Sequence, residues 1–543
     1  MVNELSDEDK YKERVNELIK KDQLLPKQQD GLHKMIDSPD KENVFLAKEI
    51  ISLNFINTLK IGLNVDQTNA FDAILTFLTK SNADAFVLKG YAGTGKTFLV
   101  KRILEYITST YPNRSIAITA PTNKAVKVLQ QDAPFDTEHS AGPIFKDLFN
   151  GENRLTYCTI HKLLGIKENL DYETGKQTFV ADKYNKSDIK NYKYLIVDEV
   201  SQLDDVLCKD IMKHCKKIKI IFMGDPAQIP PIKRLDCIPF RKQVEFTFEQ
   251  AELFEIMRQK GDHPIVDAAF LIRNNLTIAQ PIPEIKTILN AAGNGIVYIN
   301  AETERATIRP LLDAYFNCQA FMADSNYAKV ICWKNNNTDY LNHIVREVLY
   351  GKNVNAYMLG EKLIANSPIF KESSDNHFNK NQWVIQMRTS EEMVITDIQV
   401  ITKKYTEGRH TLYAKVYECT IDIYDFTKKG NIEKTIYIMH EDSAVEYKAL
   451  KDSTLAMAKV VKNGLAWVSY YNILKWSADV CYNYAITAHK AQGSTYTNVI
   501  LIEENIDLNK NVVERNRIKY TSYSRPTNKL YILRKNYVST NKT

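Results

Sequence analysis

The chain runs to 543 residues, 44% hydrophobic and 25% charged, with 72 basic against 66 acidic side chains for a net charge of +6. That composition excludes wholesale disorder, and at roughly 100–200 residues per domain it predicts about three or four domains with cores of their own. No apolar run approaches the roughly 18 residues of a membrane helix, and the opening stretch is charged from Glu4 without an apolar secretion core, so a cytoplasmic protein with no membrane partner is expected.

Residues 1–60 are rich in lysine and glutamate, with helical spacing at Val15, Leu18 and Ile19 and a loop over Leu24–Pro39. They read as an N-terminal helical extension without an assigned role. From 61 to 250, short apolar strands at Ala85–Leu88, Ile116–Ala120, Tyr194–Val197 and Lys219–Met223 alternate with amphipathic helices, the pattern of a parallel sheet covered on both faces. A second set, Ala328–Cys332, Val499–Glu503 and Leu530–Arg534, predicts another such sheet. Between them, Met393–Val400, Thr411–Tyr424 and Ile432–Met439 read as β-rich, with turn signals at Glu407-Gly408 and Lys429-Gly430. A β insertion within an α/β domain is the simplest account.

The eight cysteines are scattered with no Cys-x-x-Cys pair, and none of the ten histidines lies in a His-Glu-x-x-His pattern. Buried thiols in a reducing compartment are expected, with no zinc signature. The small positive balance permits a polyanionic partner without demanding one.

The strongest local signal is Gly90-Tyr91-Ala92-Gly93-Thr94-Gly95-Lys96-Thr97, between a predicted strand and a predicted helix. Glycines at this spacing let backbone amides curl round phosphate oxygens beside the positive end of the helix. Lys96 is suited to the β and γ phosphates and the Thr97 hydroxyl to magnesium. Asp198-Glu199, at the end of the strand Tyr194–Val197, supplies a second carboxylate site: Asp198 for magnesium, Glu199 for the attacking water. Gln228, in Gly224-Asp225-Pro226-Ala227-Gln228, is long enough to reach a γ phosphate. Arg258 and Arg525 are candidates for charge on the transferred phosphoryl group, though by default an isolated arginine is a surface residue or salt-bridge partner and spacing alone promotes neither.

Taken in order, these motifs resemble those of superfamily 1 DNA helicases of the Dda/RecD branch, most of all the phage Dda type. Asn64-Val65-Asp66-Gln67 resembles the adenine-reading motif, Ala120–Ala125 motif Ia, and Thr159-Ile160-His161 the DNA contact that follows. Asp198-Glu199 and Gly224–Gln228 resemble motifs II and III, and Arg258-Gln259 motif IV. Trp333-Lys334-Asn335 with Asn342 resembles a short asparagine motif. Thr487–Ser494, with Gly493, resembles motif V, and Tyr520–Pro526 motif VI.

The resemblance implies an α/β fold of two RecA-like parallel-sheet motor domains, with a β-hairpin pin in the first and a β-rich SH3-like insertion in the second. The expected divisions are 61–250 for motor domain 1A with a pin near 166–183, 251–350 and 481–543 for motor domain 2A, and 351–480 for the accessory domain 2B. ATP and Mg2+ would lie in the cleft between the motor domains, held by Gln67, Gly90, Gly93, Thr94, Gly95, Lys96, Thr97 and Gly493. Single-stranded DNA would meet Pro121, Thr122, Asn123, Thr159 and His161 on one domain and Asn335, Thr487, His489 and Lys490 on the other. Asp171–Lys176 would be the turn of the pin and Phe179 its stacking aromatic, a surface hairpin with Phe179 packed inward being an equal reading. The implied partners are single-stranded and forked duplex DNA, with replication or single-strand-binding proteins as candidates and a working monomer.

The activity expected is ATP-dependent DNA unwinding, with 5′ to 3′ movement. The alternative is a nucleotide-gated DNA-binding or protein-displacing translocase without productive unwinding. A P-loop kinase or switch GTPase leaves Thr487–Ser494 unexplained.

Overall fold

The computed structural model describes residues 54–534, apart from 112–113, 123–124, 127–128, 131–154, 171–176, 182–186, 232–235, 243, 258–262, 283–285, 301–303, 353, 373–382, 426–429 and 462–463. Most of the expected N-terminal extension therefore lies outside the described residues. Its described part, residues 54–60, is helical and buries Leu59 in the first core, with Phe55 and Ile56 packed against it.

The first domain is built on strands β1 (Ala85–Gly90), β2 (Ile116–Ala120), β3 (Leu155–Thr159), β6 (Tyr194–Val197), β7 (Lys219–Gly224) and β8 (Phe248–Leu253), with a hairpin of β4 (Ile166–Leu170) and β5 (Gln177–Ala181) between β3 and β6. The six form one parallel sheet in the order β3-β2-β6-β7-β1-β8. β2 and β6 are buried along their whole length, as their unbroken apolar runs require of strands covered on both faces. Helices Val65–Thr79 and Lys96–Thr110 cover one face through Phe71, Ile74, Ile103 and Ile107. Helix Asp205–Met212 covers the other through Cys208 and Ile211. The hairpin pairs Ile166 with Ala181 and Leu170 with Gln177; the Asp171–Lys176 turn and the Phe179 side chain lie outside the described residues.

The second domain repeats this order. Strands β9 (Ile288–Leu289), β10 (Gly295–Asn300), β11 (Ala328–Cys332), β19 (Ala485–Thr487), β20 (Tyr496–Ile502) and β21 (Pro526–Arg534) form the sheet β19-β11-β20-β21-β10-β9. All neighbours are parallel except the short edge strand β9. Position for position, β3, β2, β6, β7, β1 and β8 correspond to β19, β11, β20, β21, β10 and β9.

The insertion carries β12 (Lys362–Ala365), β13 (Ile369–Glu372), β14 (Trp383–Met387), β15 (Glu392–Glu407), β16 (His410–Asp425), β17 (Gly430–Met439) and β18 (Val480–Tyr482). Five of these form an antiparallel sheet, β17-β16-β15-β12-β18. The β15–β16 turn is made by Gly408 at φ 58°, the left-handed region where glycine carries no Cβ penalty. A helical pair, Glu441–Val461 and Gly464–Leu474, is absent from the sequence expectation; Tyr447 and Ile473 pack it against Leu412 and Val416 of β16.

Two expected divisions fall inside strands. The one after 250 cuts β8, whose Phe-Glu-Gln-Ala-Glu-Leu run is partly exposed and polar because it is an edge. The one after 480 cuts β18, which pairs with β12 of the insertion. The root of the insertion is tied to the second domain by a buried ion pair, Arg346 Nε to Glu361 Oε1 at 3.0 Å, and Tyr484 donates to the same carboxylate at 3.1 Å. Among the described residues no helix is long and apolar enough to cross a membrane.

Candidate nucleotide site and strand path

The glycine loop leaves β1 at Gly90 and enters helix Lys96–Thr110. Gly93 and Gly95 take φ 82° and 78°, the left-handed region that favours glycine, and a Cβ on Gly95 would displace the Gln67 amide. Thr94 Oγ1 donates to Tyr91 O at 2.9 Å, and the Lys96 ammonium lies inside the curve of the loop, donating to the carbonyls of Gly90 and Tyr91. Gln67 does two jobs. It closes a capping box with Asn64 at the start of its helix, and its amide donates to Thr94 O at 3.1 Å. Met257 N donates to Gly93 O at 2.8 Å, which fixes the chain next to Arg258; Arg258 itself lies outside the described residues.

Asp198 and Glu199 follow β6 directly. Asp198 N donates to Thr119 O at 2.8 Å, and Glu199 adopts φ 50°, a position rare for a side chain other than glycine and typical of functional turns. Burial raises the Asp198 pKa against the pull of Lys96. Burial, then the Asp198 charge, raises that of Glu199, with Arg525 and Lys96 opposing. Gly493 of the second domain stands at φ 74°, and a Cβ there would lie 3.6 Å from Glu199 Oε1. The second domain thus closes directly over this carboxylate.

Gln228 is buried, its Nε2 3.4 Å from Asp225 Oδ2, and its Oε1 is a buried acceptor without a partner. Arg525 is 5% exposed and is held by Thr521 O, Ser494 O and Ser524 Oγ at 2.8–2.9 Å.

The residues expected on the strand path fall into matched turns. At the end of β3, Thr159 caps helix Ile160–Leu163, accepting from Lys162 N. At the end of β19, Thr487 caps helix Ala488–Ala491, accepting from Lys490 N. His161 and His489 follow in equivalent places, and burial lowers the pKa of both. Pro121 and Thr122 sit half-buried beyond β2, where Thr122 Oγ1 accepts from Ala125 N at 3.2 Å; Asn123 lies outside the described residues. Asn335 is exposed at the start of helix Asn335–Tyr350, beyond β11. Asn342 in that helix is buried and takes the amides of Tyr484 and Ala485 while donating to Ala485 O, so it positions β19 and the Thr487 turn.

Residues 62–282 match the AAA domain family. An uncharacterised protein of Acanthamoeba polyphaga mimivirus is 25% identical over 86% of this chain and 99% of its own length. The ATP-dependent DNA helicase dda of Enterobacteria phage T4 is 26% identical over 57% of this chain, which spans 62% of that helicase. The RecBCD enzyme subunit RecD of Buchnera aphidicola is 23% identical over 84% of this chain and 70% of its own. These matches agree with the resemblance to superfamily 1 helicases of the Dda/RecD branch that the motifs carry. A solved Pif1 helicase from Bacteroides, in complex with ADP-AlF3 and single-stranded DNA, aligns over 86% of this chain and 92% of its own at 14% identity and a TM-score of 0.42.

The cleft also contains residues that the motif reading passes over. Tyr520 donates to Asp225 Oδ2 at 2.6 Å and accepts from Ala92 N of the glycine loop at 3.2 Å, so one hydroxyl joins the two domains at the phosphate loop. The Arg273 guanidinium lies 3.6 Å from the centre of the Tyr91 ring, and Gln492 Nε2 donates to Ile229 O at 2.9 Å. Tyr520 and Gln492 lie inside motif-like segments and were legible as members of them, but their partners follow only from the fold. Arg273, on a helix outside every motif, gave no signal.

Proposed function

We propose that the chain is an ATP-driven motor that moves 5′ to 3′ along single-stranded DNA and separates duplex strands at the β4–β5 hairpin. The observation that carries this reading is the meeting of the glycine loop, Asp198, Glu199 and Gln228 of the first sheet with Gly493 and Arg525 of the second, while matched Thr-x-His-Lys turns end the edge strand of each sheet. Hydrolysis at such a joint changes how two strand-gripping domains sit, and alternating grip then moves the strand.

The residue roles follow from chemistry. Lys96 neutralises the β and γ phosphates, Gln67 reads the adenine, and Gly90, Gly93, Thr94 and Gly95 leave the backbone free to approach the phosphates. Glu199 takes a proton from the attacking water, Gln228 offers the second N–H of its side-chain amide to the γ phosphate, and Arg258 and Arg525 stabilise the charge that spreads over the transferred group. Thr97 and Asp198 would hold magnesium. The donor set fits it, because a hydroxyl and a carboxylate are oxygen ligands suited to a hard cation, whose charge would offset the burial that raises the Asp198 pKa. When bound, the ion supplies Lewis-acid polarisation of the phosphate oxygens.

Pro121, Thr122, Asn123, Thr159 and His161 grip the strand on one side, and Asn335, Thr487, His489 and Lys490 on the other. The hairpin with Phe179 is the pin, and the insertion is an SH3-like accessory domain that braces it. A forked duplex with either a 5′ or a 3′ single-stranded tail tests the whole reading. Strand separation with ATP on the 5′ tail alone is expected. Separation on the 3′ tail alone reverses the direction. DNA-stimulated hydrolysis with separation on neither tail replaces unwinding by protein displacement.

A further inference from the structure

One short edge of the insertion touches the strand-path turns of both motor domains. β12 ends at Ala365, and the Arg388–Glu391 turn between β14 and β15 lies beside it, with Ser390 N donating to Ala365 O at 2.8 Å and Ala365 N to Glu391 O at 3.0 Å. The next residue, Asn366, is pinned to Asp479 through backbone and side chain. From this edge Arg388 Nη1 donates to Thr159 Oγ1 at 2.9 Å, and Asn366 Oδ1 accepts from Lys490 Nζ at 2.7 Å. Thr159 and Lys490 belong to the two matched turns, so the edge bridges them.

The Arg388 charge is unusual in its surroundings. Among the described residues it forms no ion pair. The carboxylate in its own turn, Glu391, is spent on the Arg388 backbone amide at 3.1 Å rather than on the guanidinium. Ser390 holds φ 65°, a strained conformation for serine that fixes the turn. The guanidinium also lies close enough to His161 to add to the burial that keeps this imidazole neutral. A half-buried arginine with no carboxylate, aimed at a threonine hydroxyl and a neutral histidine, is a planar fork suited to a phosphodiester.

We infer that Arg388 is a binding residue for the sugar-phosphate backbone of single-stranded nucleic acid, so that the insertion supplies a third grip beside those of the two motor domains. The inference rests on the reading above that the strand runs past Thr159 and Thr487. It identifies the ligand as the phosphodiester charge rather than a base, because the side-chain amide of Asn366 at this edge is already engaged by Asp479 and Lys490.

The test is equilibrium binding of a fluorescent oligothymidylate to the full chain as a function of salt, for the unmodified protein and for R388Q, R388A and R388K. R388Q keeps a donor for Thr159 while removing the charge, and R388A is a second neutral variant should R388Q fail to fold. Loss of one phosphate contact lowers the slope of log affinity against log salt by about 0.7 on a single strand; that loss is expected in both neutral variants and not in R388K. A neutral variant with the unmodified slope, whatever its affinity, would make Arg388 a structural brace and overturn the inference. An unmodified chain that fails to bind the oligonucleotide at all would overturn the motor reading, and this inference with it.

Discussion

The two sheets have the same strand order, and comparing the ends of corresponding strands separates the two tasks proposed for them. β3 and β19 both end in threonine-capped turns carrying His-Lys. β2 leads into Pro121-Thr122-Asn123, and β11 into Trp333-Lys334-Asn335. The central strands diverge. β1 ends in the glycine loop, whereas its counterpart β10 ends at Asn300 with no such loop. β6 ends in Asp198-Glu199, two carboxylates left for chemistry. Its counterpart β20 ends at Glu503, which is tied off by Lys519 at 3.2 Å and by Tyr523 at 3.0 Å. On the proposed reading the strand grip is built twice and the hydrolysis site once, and the second sheet covers the latter with Gly493, Arg525 and Tyr520.

Exchanging the carboxylates breaks the comparison most sharply. Glu199→Gln is expected to lower kcat for ATP about a hundred- to ten-thousand-fold, the usual worth of a positioned base, with nucleotide binding retained by fluorescence titration. Because burial raises the Glu199 pKa above its unfolded value, the folded protein binds this proton more tightly, and stability falls as pH rises through the raised value. Glu199→Gln should therefore melt higher than the unmodified chain at pH 8, with the gap closing toward pH 4. The same shift means that hydrolysis declines on acidification from a higher pH than an ordinary carboxylate would allow.

Glu503→Gln should do the reverse, costing about 3–5 kcal/mol of stability for a broken buried pair while hydrolysis per folded molecule stays near normal. Loss of hydrolysis without loss of stability would mean that β20 carries chemistry after all. A smaller effect addresses the pin. Phe179→Ala should slow strand separation by roughly fivefold to a hundredfold, from a base-stacking term of about 1–3 kcal/mol, with little change in DNA-stimulated hydrolysis; equal losses in both would remove the stacking role. Smallest are the caps. Thr159→Ala and Thr487→Ala should each cost about 1 kcal/mol in thermal unfolding, and Thr159→Ala somewhat more because it also removes the acceptor for Arg388.

The parts of this molecule legible in the sequence are those whose chemistry is written in consecutive residues. The glycine loop, Asp198-Glu199 and Thr487–Ser494 depend on local backbone geometry, and the loop's positive φ values at Gly93 and Gly95 were implicit in the glycines. The parallel sheets were legible because strands such as β2 and β6 are buried on both faces and so carry unbroken apolar runs. β8 escaped because an edge strand tolerates Glu249, Gln250 and Glu252, and the helical pair over 441–474 escaped because it interrupts a β-rich stretch. The Tyr520–Asp225–Ala92 junction could not be read at all, since it joins residues 295 and 428 positions apart in sequence and exists only when the two domains meet.

Steady-state ATP hydrolysis with and without single-stranded DNA, with Lys96→Ala as the blank, tests most directly whether the twin grips and the single hydrolysis site form one machine. Strong stimulation by the strand, absent in the Lys96 variant, is the predicted result. Hydrolysis that depends on Lys96 but is indifferent to DNA would contradict the account, leaving a nucleotide site with no link to the matched turns.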